Sequence, residues 1–395
     1  MVEIRKNIRW IGLNDRTTDL FEGLWPLPQG TSYNSYLIDD KKLAIVDSMK
    51  SYFEDKFLEK IEKRTDPADI NYLIVNHMEP DHSGALPALR RLAPQAEIIC
   101  TEKAVEFLES FYRITENIHV VEDGETLDLG DRTLKFFETP FVHWPETMMT
   151  YEISDKILFS CDAFGGFGVP EGGIFDDQLD LEDYEDGIVR YFSNIVGTYS
   201  APVQAALQKL ADVDVEIIAP SHGIIWRKEP EKIIEIYDKL SSMEGEEGIT
   251  LIYGSMYGNT EEMMEAVANG IKSAGCDNLR VLDASRVHES FLLSEAWRRK
   301  GVIIGTPTYD GQVFPPVDQF IQLAKRKKLK RRIAGVFGSF GWSGGAISRI
   351  KSIIDELDRK LIEPLKEFRG RPSKEDLKIG RELGESVANK VIAQG

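Results

Sequence analysis

Hydrophobic residues in this chain come in short blocks, separated by turns or by segments with helical spacing. Ser35-Tyr36-Leu37-Ile38 and Leu43-Ala44-Ile45-Val46 flank the polar Asp39-Asp40-Lys41-Lys42, which predicts a β-hairpin. Residues 53–64 place their apolar positions on one helical face, and Thr65-Asp66-Pro67 stops that helix. The unbroken run Tyr72-Leu73-Ile74-Val75 reads as a buried strand, followed after a polar loop by a helix over 85–92. Glu97-Ile98-Ile99-Cys100 predicts another strand, and residues 101–112 a helix with Thr101 as its cap. Further strands are expected at 156–160 and 216–220. In the second half, apolar runs at 249–253, 302–304 and 333–337 each lead into a small-residue loop, and a helix is expected over 261–274. Strands alternating with helices predict an α/β protein.

Composition narrows the class. At 395 residues the chain is long for one core, and about two or three domains are expected. The 42% apolar and 29% charged residues are those of a soluble globular protein. No apolar run approaches the ~20 residues of a membrane span. Met1-Val2-Glu3-Ile4-Arg5-Lys6 has no apolar segment behind it of the kind a secretory signal needs. The cysteines, Cys100, Cys161 and Cys276, are far apart, which points to a reducing, cytoplasmic setting. It also argues against an appended rubredoxin-like or iron–sulfur module, which needs clustered thiolates.

Charge divides the chain. Residues 1–247 hold 24 Lys+Arg against 48 Asp+Glu, a balance of −24, whereas residues 248–395 hold 24 against 18, a balance of +6. The shift falls at the polar, glycine-bearing connector 241–248, so domains are expected at 1–247 and 248–395. An overall acidic chain without aromatics among its basic runs is a poor match for nucleic acid.

The densest chemistry follows the strand at 72–75. Asn76-His77-Met78-Glu79-Pro80-Asp81-His82 puts two imidazoles and two carboxylates in six residues, at the carboxyl end of a strand, where α/β sheets build sites. Without a cation such a loop would be costly to bury. His143, Asp162 and His222 also follow strand-like runs, whereas His119 and His288 sit in ordinary surroundings. Mixed histidines and carboxylates with a spare Asp to bridge suit two cations about 3.5–4 Å apart.

The second half carries a different signature. A strand, the loop Gly254-Ser255-Met256-Tyr257-Gly258-Asn259-Thr260 and a helix form a phosphate cradle, because free N–H groups and the helix dipole favour an anion. It lacks the lysine of a nucleotide-triphosphate loop and the G-x-G-x-x-G spacing of a dinucleotide site. Two later strand ends agree with it: Gly305-Thr306-Pro307-Thr308-Tyr309-Asp310-Gly311 and Gly338-Ser339-Phe340-Gly341-Trp342-Ser343-Gly344-Gly345.

The first motif set resembles the metallo-β-lactamase fold, and Glu79, where hydrolases of that fold usually have His, makes it similar to the diiron domain of flavodiiron proteins. The three later loops resemble those of flavodoxins, which wrap FMN. The likeness spans essentially the whole chain. It implies an N-terminal αββα sandwich followed by a doubly wound parallel sheet. It further implies His77, Glu79 and His143 on one iron, Asp81 and His222 on the other, and Asp162 bridging them. His82 matches a position that binds metal in some members and swings away in others, and Tyr191 one whose hydroxyl faces the pocket. Ser255 to Thr260, Pro307 to Gly311 and Ser339 to Gly345 would hold FMN. One departure is Glu22, in Phe21-Glu22-Gly23, where many members carry His.

The activity implied is reduction of O2 to water or of nitric oxide to nitrous oxide, with FMN relaying electrons from rubredoxin, a reduced deazaflavin or a flavin reductase. Head-to-tail homodimers or dimers of dimers are expected. The competing reading is a zinc hydrolase of the same fold, with the flavodoxin-like part as a regulatory or docking module. The basic run from Lys325 to Arg332 reads either as a solvated connector or as a docking patch for an acidic carrier.

Overall fold

The computed structural model describes residues 1–356 and 360–394. Contacts divide the chain into two units: Met1–Phe192 with Ala201–Asp238, and Ser193–Ser200 with the chain from Lys239 onward. The range 248–395 expected for the second domain includes residues 357–359 and 395, which lie outside the described residues.

The first unit stacks two sheets. In the first, the strands run in the order Val2–Arg5, Ile8–Trp10, Tyr36–Ile38, Leu43–Val46, Ile70–Ile74, Glu97–Cys100, Ile118–Val120. The predicted hairpin forms, with Tyr36 opposite Val46. From Leu43–Val46 onward the strands are parallel, so each needs a crossover, which the helices Glu54–Glu62, Leu86–Leu92 and Glu102–Tyr112 supply. The second sheet orders Thr126–Asp128, Thr133–Glu138, Met148–Glu152, Ile157–Cys161 and Ile217–Pro220. Tyr36, Val46, Ile74 and Ile99 from one sheet join Phe136, Met148, Phe159 and Ile217 from the other in a single core. Each such fully buried side chain contributes about 1.5–3 kcal/mol relative to exposure. This is the expected αββα arrangement.

Local chemistry differs from expectation at one helix start. Thr101 holds the cap position of Glu102–Tyr112, yet its hydroxyl does not cap the helix; it donates to the Glu146 carbonyl at 2.8 Å. The pull comes from the loop before Met148–Glu152, which has a buried carbonyl to satisfy.

The second unit is a parallel sheet in the order Leu279–Asp283, Glu246–Tyr253, Arg299–Tyr309, Ile333–Phe340, Lys360–Leu361, with Lys366–Arg369 also paired to Ile333–Phe340. This is the doubly wound order whose crevice lies at the carboxyl ends of the strands. Glu246–Tyr253 begins inside the stretch expected to be a connector. The helix after it spans Asn259–Ser273, two residues earlier than expected, because Gly258 takes φ +87° and turns the chain straight into the first helical residue.

Candidate metal centre and flavin loops

The loop after Ile70–Ile74 is held from three sides. Asn76 donates its backbone N–H and its side-chain amide to the Asp47 carboxylate, at 2.8 and 3.1 Å, and accepts from Thr150 at 2.7 Å. Ser48 donates to the His82 carbonyl through both its N–H and its hydroxyl. Asn34 and Tyr36 donate to the Pro220 carbonyl, fixing the loop that carries His222. Loops from both sheets therefore converge on one point.

There His77, Glu79, His143 and Asp162 form one group of donor atoms, and Asp81, His82 and His222 a second. Asp162 faces both. Its Oδ2 lies 3.4 Å from His77 Nε2 and 3.1 Å from His143 Nε2. Its Oδ1 lies 3.1 Å from His82 Nε2 and 3.4 Å from His222 Nε2. Glu79 Oε2 is 3.3 Å from His77 and 3.1 Å from His143, and Asp81 Oδ2 is 3.3 Å from His222. His82 points inward with the rest. His119 instead pairs with Glu125, and His288 caps the helix Glu289–Arg298.

The electrostatics describe a site that wants positive charge. Burial disfavours a charged His77, yet hydrogen bonds to Glu146 and Glu79 and the charge of Asp162 push it up to about 10. Burial is likewise outweighed at His143, pushed up to about 10 by Asp162 and Glu79, and at His82, pushed up to about 9 by Asp81 and Asp162. Burial alone would raise Asp162, but the surrounding histidines hold it well below the carboxylate range. Meanwhile both oxygens of Asp81 and of Asp162, both nitrogens of His82 and Nε2 of His222 are buried with no hydrogen-bond partner. Orphaned acceptors at this density are rare in folded proteins. A pair of cations would satisfy the carboxylate oxygens and the Nε2 atoms among them, so the residues fit a dinuclear metal site.

In the second unit, Ser255 to Thr260, Pro307 to Gly311 and Ser339 to Gly345 all lie at the carboxyl ends of neighbouring parallel strands. Ser255 accepts from Gly258 N–H, and the Thr260 and Ser339 hydroxyls meet at 2.8 Å, tying the first loop to the third. Asp310 and Gly311, at φ +48° and +69°, turn a two-residue hairpin between Tyr309 and Gln312. Around these loops Tyr257 is 90% and Trp342 86% exposed, with Met256 and Tyr309 also exposed. Apolar rings left in water around a polar cradle mark a ligand face. A flat aromatic cofactor with a phosphate tail fits it.

Residues 31–223 match the ODP family of β-lactamases, and residues 251–384 match flavodoxin. Over 98% of its length the chain is 35% identical to the anaerobic nitric oxide reductase flavorubredoxin of Aliivibrio fischeri, covering 79% of that protein. The Escherichia coli K12 flavorubredoxin is 34% identical over 98% of the chain and 82% of its own length. This chain belongs to the flavodiiron protein family. Among solved structures, rubredoxin oxygen:oxidoreductase from Desulfovibrio gigas superposes with a TM-score of 0.95, at 29% identity, over 100% of this chain and 99% of that one. The Giardia intestinalis flavodiiron protein gives 0.95 at 29% identity, over 99% and 97%.

Several residues that complete the centre of this flavodiiron protein were not visible in its sequence. The buried Glu146 accepts from His77 Nδ1 at 2.7 Å and from Met78 N–H at 3.0 Å. The carbonyl of Ser32 accepts from His222 Nδ1 at 2.7 Å. Each acceptor fixes a tautomer that leaves Nε2 free for metal. The ring of Phe21, not Glu22, faces His222, at 5.2 Å, while Glu22 is exposed and accepts from Trp25. Tyr33 adds a second ring 5.6 Å from His222, with Lys50 Nζ 4.7 Å from the centre of the Tyr33 ring. Tyr191 is fully buried, 5.6 Å from the His222 ring. Burial first, then the charge of Asp162, hold its phenol well above the usual range, so it stays a protonated donor.

Proposed function

We propose that this flavodiiron protein is a cytoplasmic oxidoreductase that reduces O2 to water, nitric oxide to nitrous oxide, or both. An external donor such as rubredoxin, a reduced deazaflavin or a flavin reductase would supply the electrons, which FMN, when bound, would relay to a pair of irons. The observation that carries the reading is the two-faced placement of Asp162, with one oxygen in each donor cluster. His77, Glu79 and His143 would hold one iron, Asp81 and His222 the other, and Asp162 both. His82, whose Nδ1 has no acceptor to anchor it, would be the most exchangeable ligand. The domains 1–247 and 248–395 would supply iron and flavin chemistry respectively. Head-to-tail pairing, as a homodimer or a dimer of dimers, would bring the flavin of one copy to the irons of the other.

When bound, a non-haem iron pair supplies open positions for a diatomic gas and electrons to reduce it. The protein's part is to orient and exclude. Glu146 and the Ser32 carbonyl keep His77 and His222 aimed inward. Phe21 and Tyr33 wall the pocket with rings, and Tyr191 presents a hydroxyl proton toward it. A dry wall admits a small apolar gas and keeps bulk water off the reacting atoms.

The test is direct. Purified protein should contain iron and FMN, and with an artificial reductant should consume at least one of the two gases; comparing turnover on both decides which. Zinc without flavin, together with hydrolytic activity, would overturn the reading in favour of a hydrolase. No described helix is long and apolar enough to cross a membrane.

A further inference from the structure

One carboxylate in the second unit belongs to none of the roles above. Glu367 lies on Lys366–Arg369, the short strand beside Ile333–Phe340, with Gly338 as its register partner. Its Oε1 accepts from the Thr308 hydroxyl at 3.2 Å and from Gly345 N–H at 3.1 Å. Thr308 belongs to the second flavin loop and Gly345 to the third. The Ala346 N–H also points at the Thr308 hydroxyl, at 3.4 Å, so the bond network continues into the helix Ala346–Glu356. On its other side the carboxylate presses against Gly344, where a Cβ would stand only 2.5 Å from Oε2. The same strand holds the third loop again through Arg369, which donates to the Gly341 carbonyl at 2.8 Å. No cation lies within ion-pair distance of Glu367 among the described residues, since its neighbour Lys366 is paired with Asp376. A carboxylate that is neither ion-paired nor left in open water, and that accepts from two loops at once, is holding them in register.

The geometry points to Glu367 as a positioning residue for FMN: it staples the second and third flavin loops together and sets a fixed negative charge behind them. This rests on the reading that those loops hold FMN. Two consequences follow from separate physics. Preorganised loops bind a ligand without the cost of ordering them at that moment, so loss of the staple weakens FMN binding. A negative charge held against these loops disfavours adding electrons to a flavin they bind, so loss of the charge makes the bound flavin easier to reduce.

Two variants of the full-length protein separate reach from charge, with FMN itself as the probe. Glu367→Asp keeps the charge but is a methylene too short to reach both loops. It should bind FMN about tenfold more weakly, the loss of one to two hydrogen bonds. Glu367→Gln keeps the reach and two acceptor lone pairs but loses the charge. Its bonds are weaker but still reach both loops, so it should bind FMN more tightly than Glu367→Asp, while its reduction midpoint in a spectroscopic titration moves to a higher potential. Asp and Gln variants that both match the parent in affinity and midpoint would overturn the inference. A parent that binds no FMN would overturn the flavin reading, and the inference with it.

Discussion

At the scale of single residues, the centre depends on which oxygen faces which histidine. Asp162 divides its two oxygens between the clusters, so replacing it by Ala should leave both under-neutralised. The variant should lose most of its metal and all gas reduction, while FMN content stays at the parent level. Elemental analysis and the flavin spectrum of one sample check both halves. Glu146 acts one bond further out. Glu146→Gln cannot accept from His77 Nδ1 and from Met78 N–H with the same strength, because a carboxylate makes charge-assisted bonds that an amide oxygen does not. Partners of this kind are worth about 10–100-fold in metal affinity. Competition against a chelator should therefore release iron from Glu146→Gln at a lower chelator concentration, with the fold intact by circular dichroism. Unchanged retention would reduce Glu146 to a packing role.

At the scale of elements, capping and strand ends decide where chemistry can sit. The helix Lys374–Ile392 starts with a reciprocal box in which Ser373 and Asp376 bond each other's backbone. The Lys366 ammonium beside Asp376, followed by the Ser373 bonds, brings its carboxyl down to about 2 in spite of some burial. A depressed folded value means stability that is present above the unfolded value near 4 and lost as pH falls toward 2. Solvent screening keeps the amount small. The parent should thus exceed Asp376→Asn in urea midpoint at neutral pH, and the gap should close between about pH 4 and pH 2. A gap independent of pH would mean that the charge contributes nothing.

The basic run shows how an element's direction overrides its composition. Leu329 is buried, and Arg332 is only 1% exposed. The Arg332 guanidinium donates to the carbonyls of Ala296, Trp297 and Met243, closing the end of the helix Glu289–Arg298. The run also precedes Ile333–Phe340, whose far end leads into the third flavin loop. Arg332, at the end of the run, lies seven residues before Ser339, where that loop starts, a distance of about 23 Å along the strand. A carrier docked there would sit at the wrong end of the sheet for electron delivery. Changing Lys327, Lys328 and Lys330 together to Ser should leave carrier-driven turnover and its salt dependence as in the parent. A slower, flatter profile would restore the docking reading.

At the scale of the whole molecule, the second unit is not one stretch of chain. Asn194 donates to the Ser290 carbonyl at 3.1 Å, and Gly197 packs so closely on the Trp297 ring that a Cβ would stand 2.7 Å from it. Trp297 in turn donates to the Leu240 carbonyl at 2.9 Å. A fragment 239–395 retains the sheet and all three loops, so it should fold and bind FMN. It lacks residues 193–200, so the Trp297 ring loses part of its cover and the fragment should melt below the flavin domain of the full chain. Calorimetry with FMN present checks the melting, and a soluble fragment that takes up no flavin would count against both the boundary and the loops.

What the sequence by itself determined was local: apolar runs that make strands, and polar loops whose donor types and spacing declare metal or phosphate chemistry within a few residues. His77 to His82 and Ser255 to Thr260 were legible for that reason, and the family likeness followed from them. The tertiary structure alone decided what meets across the fold. His77 is bonded by a residue 69 positions away and His222 by one 190 positions away, and neither partner has a local pattern to announce it. The same holds for Glu367, for the segment 193–200 and for the wrong-end position of the basic run. Periodicity reports which face of an element is buried, but which elements then share a corner is set by sheet order and crossover, and these are settled only when the whole core packs.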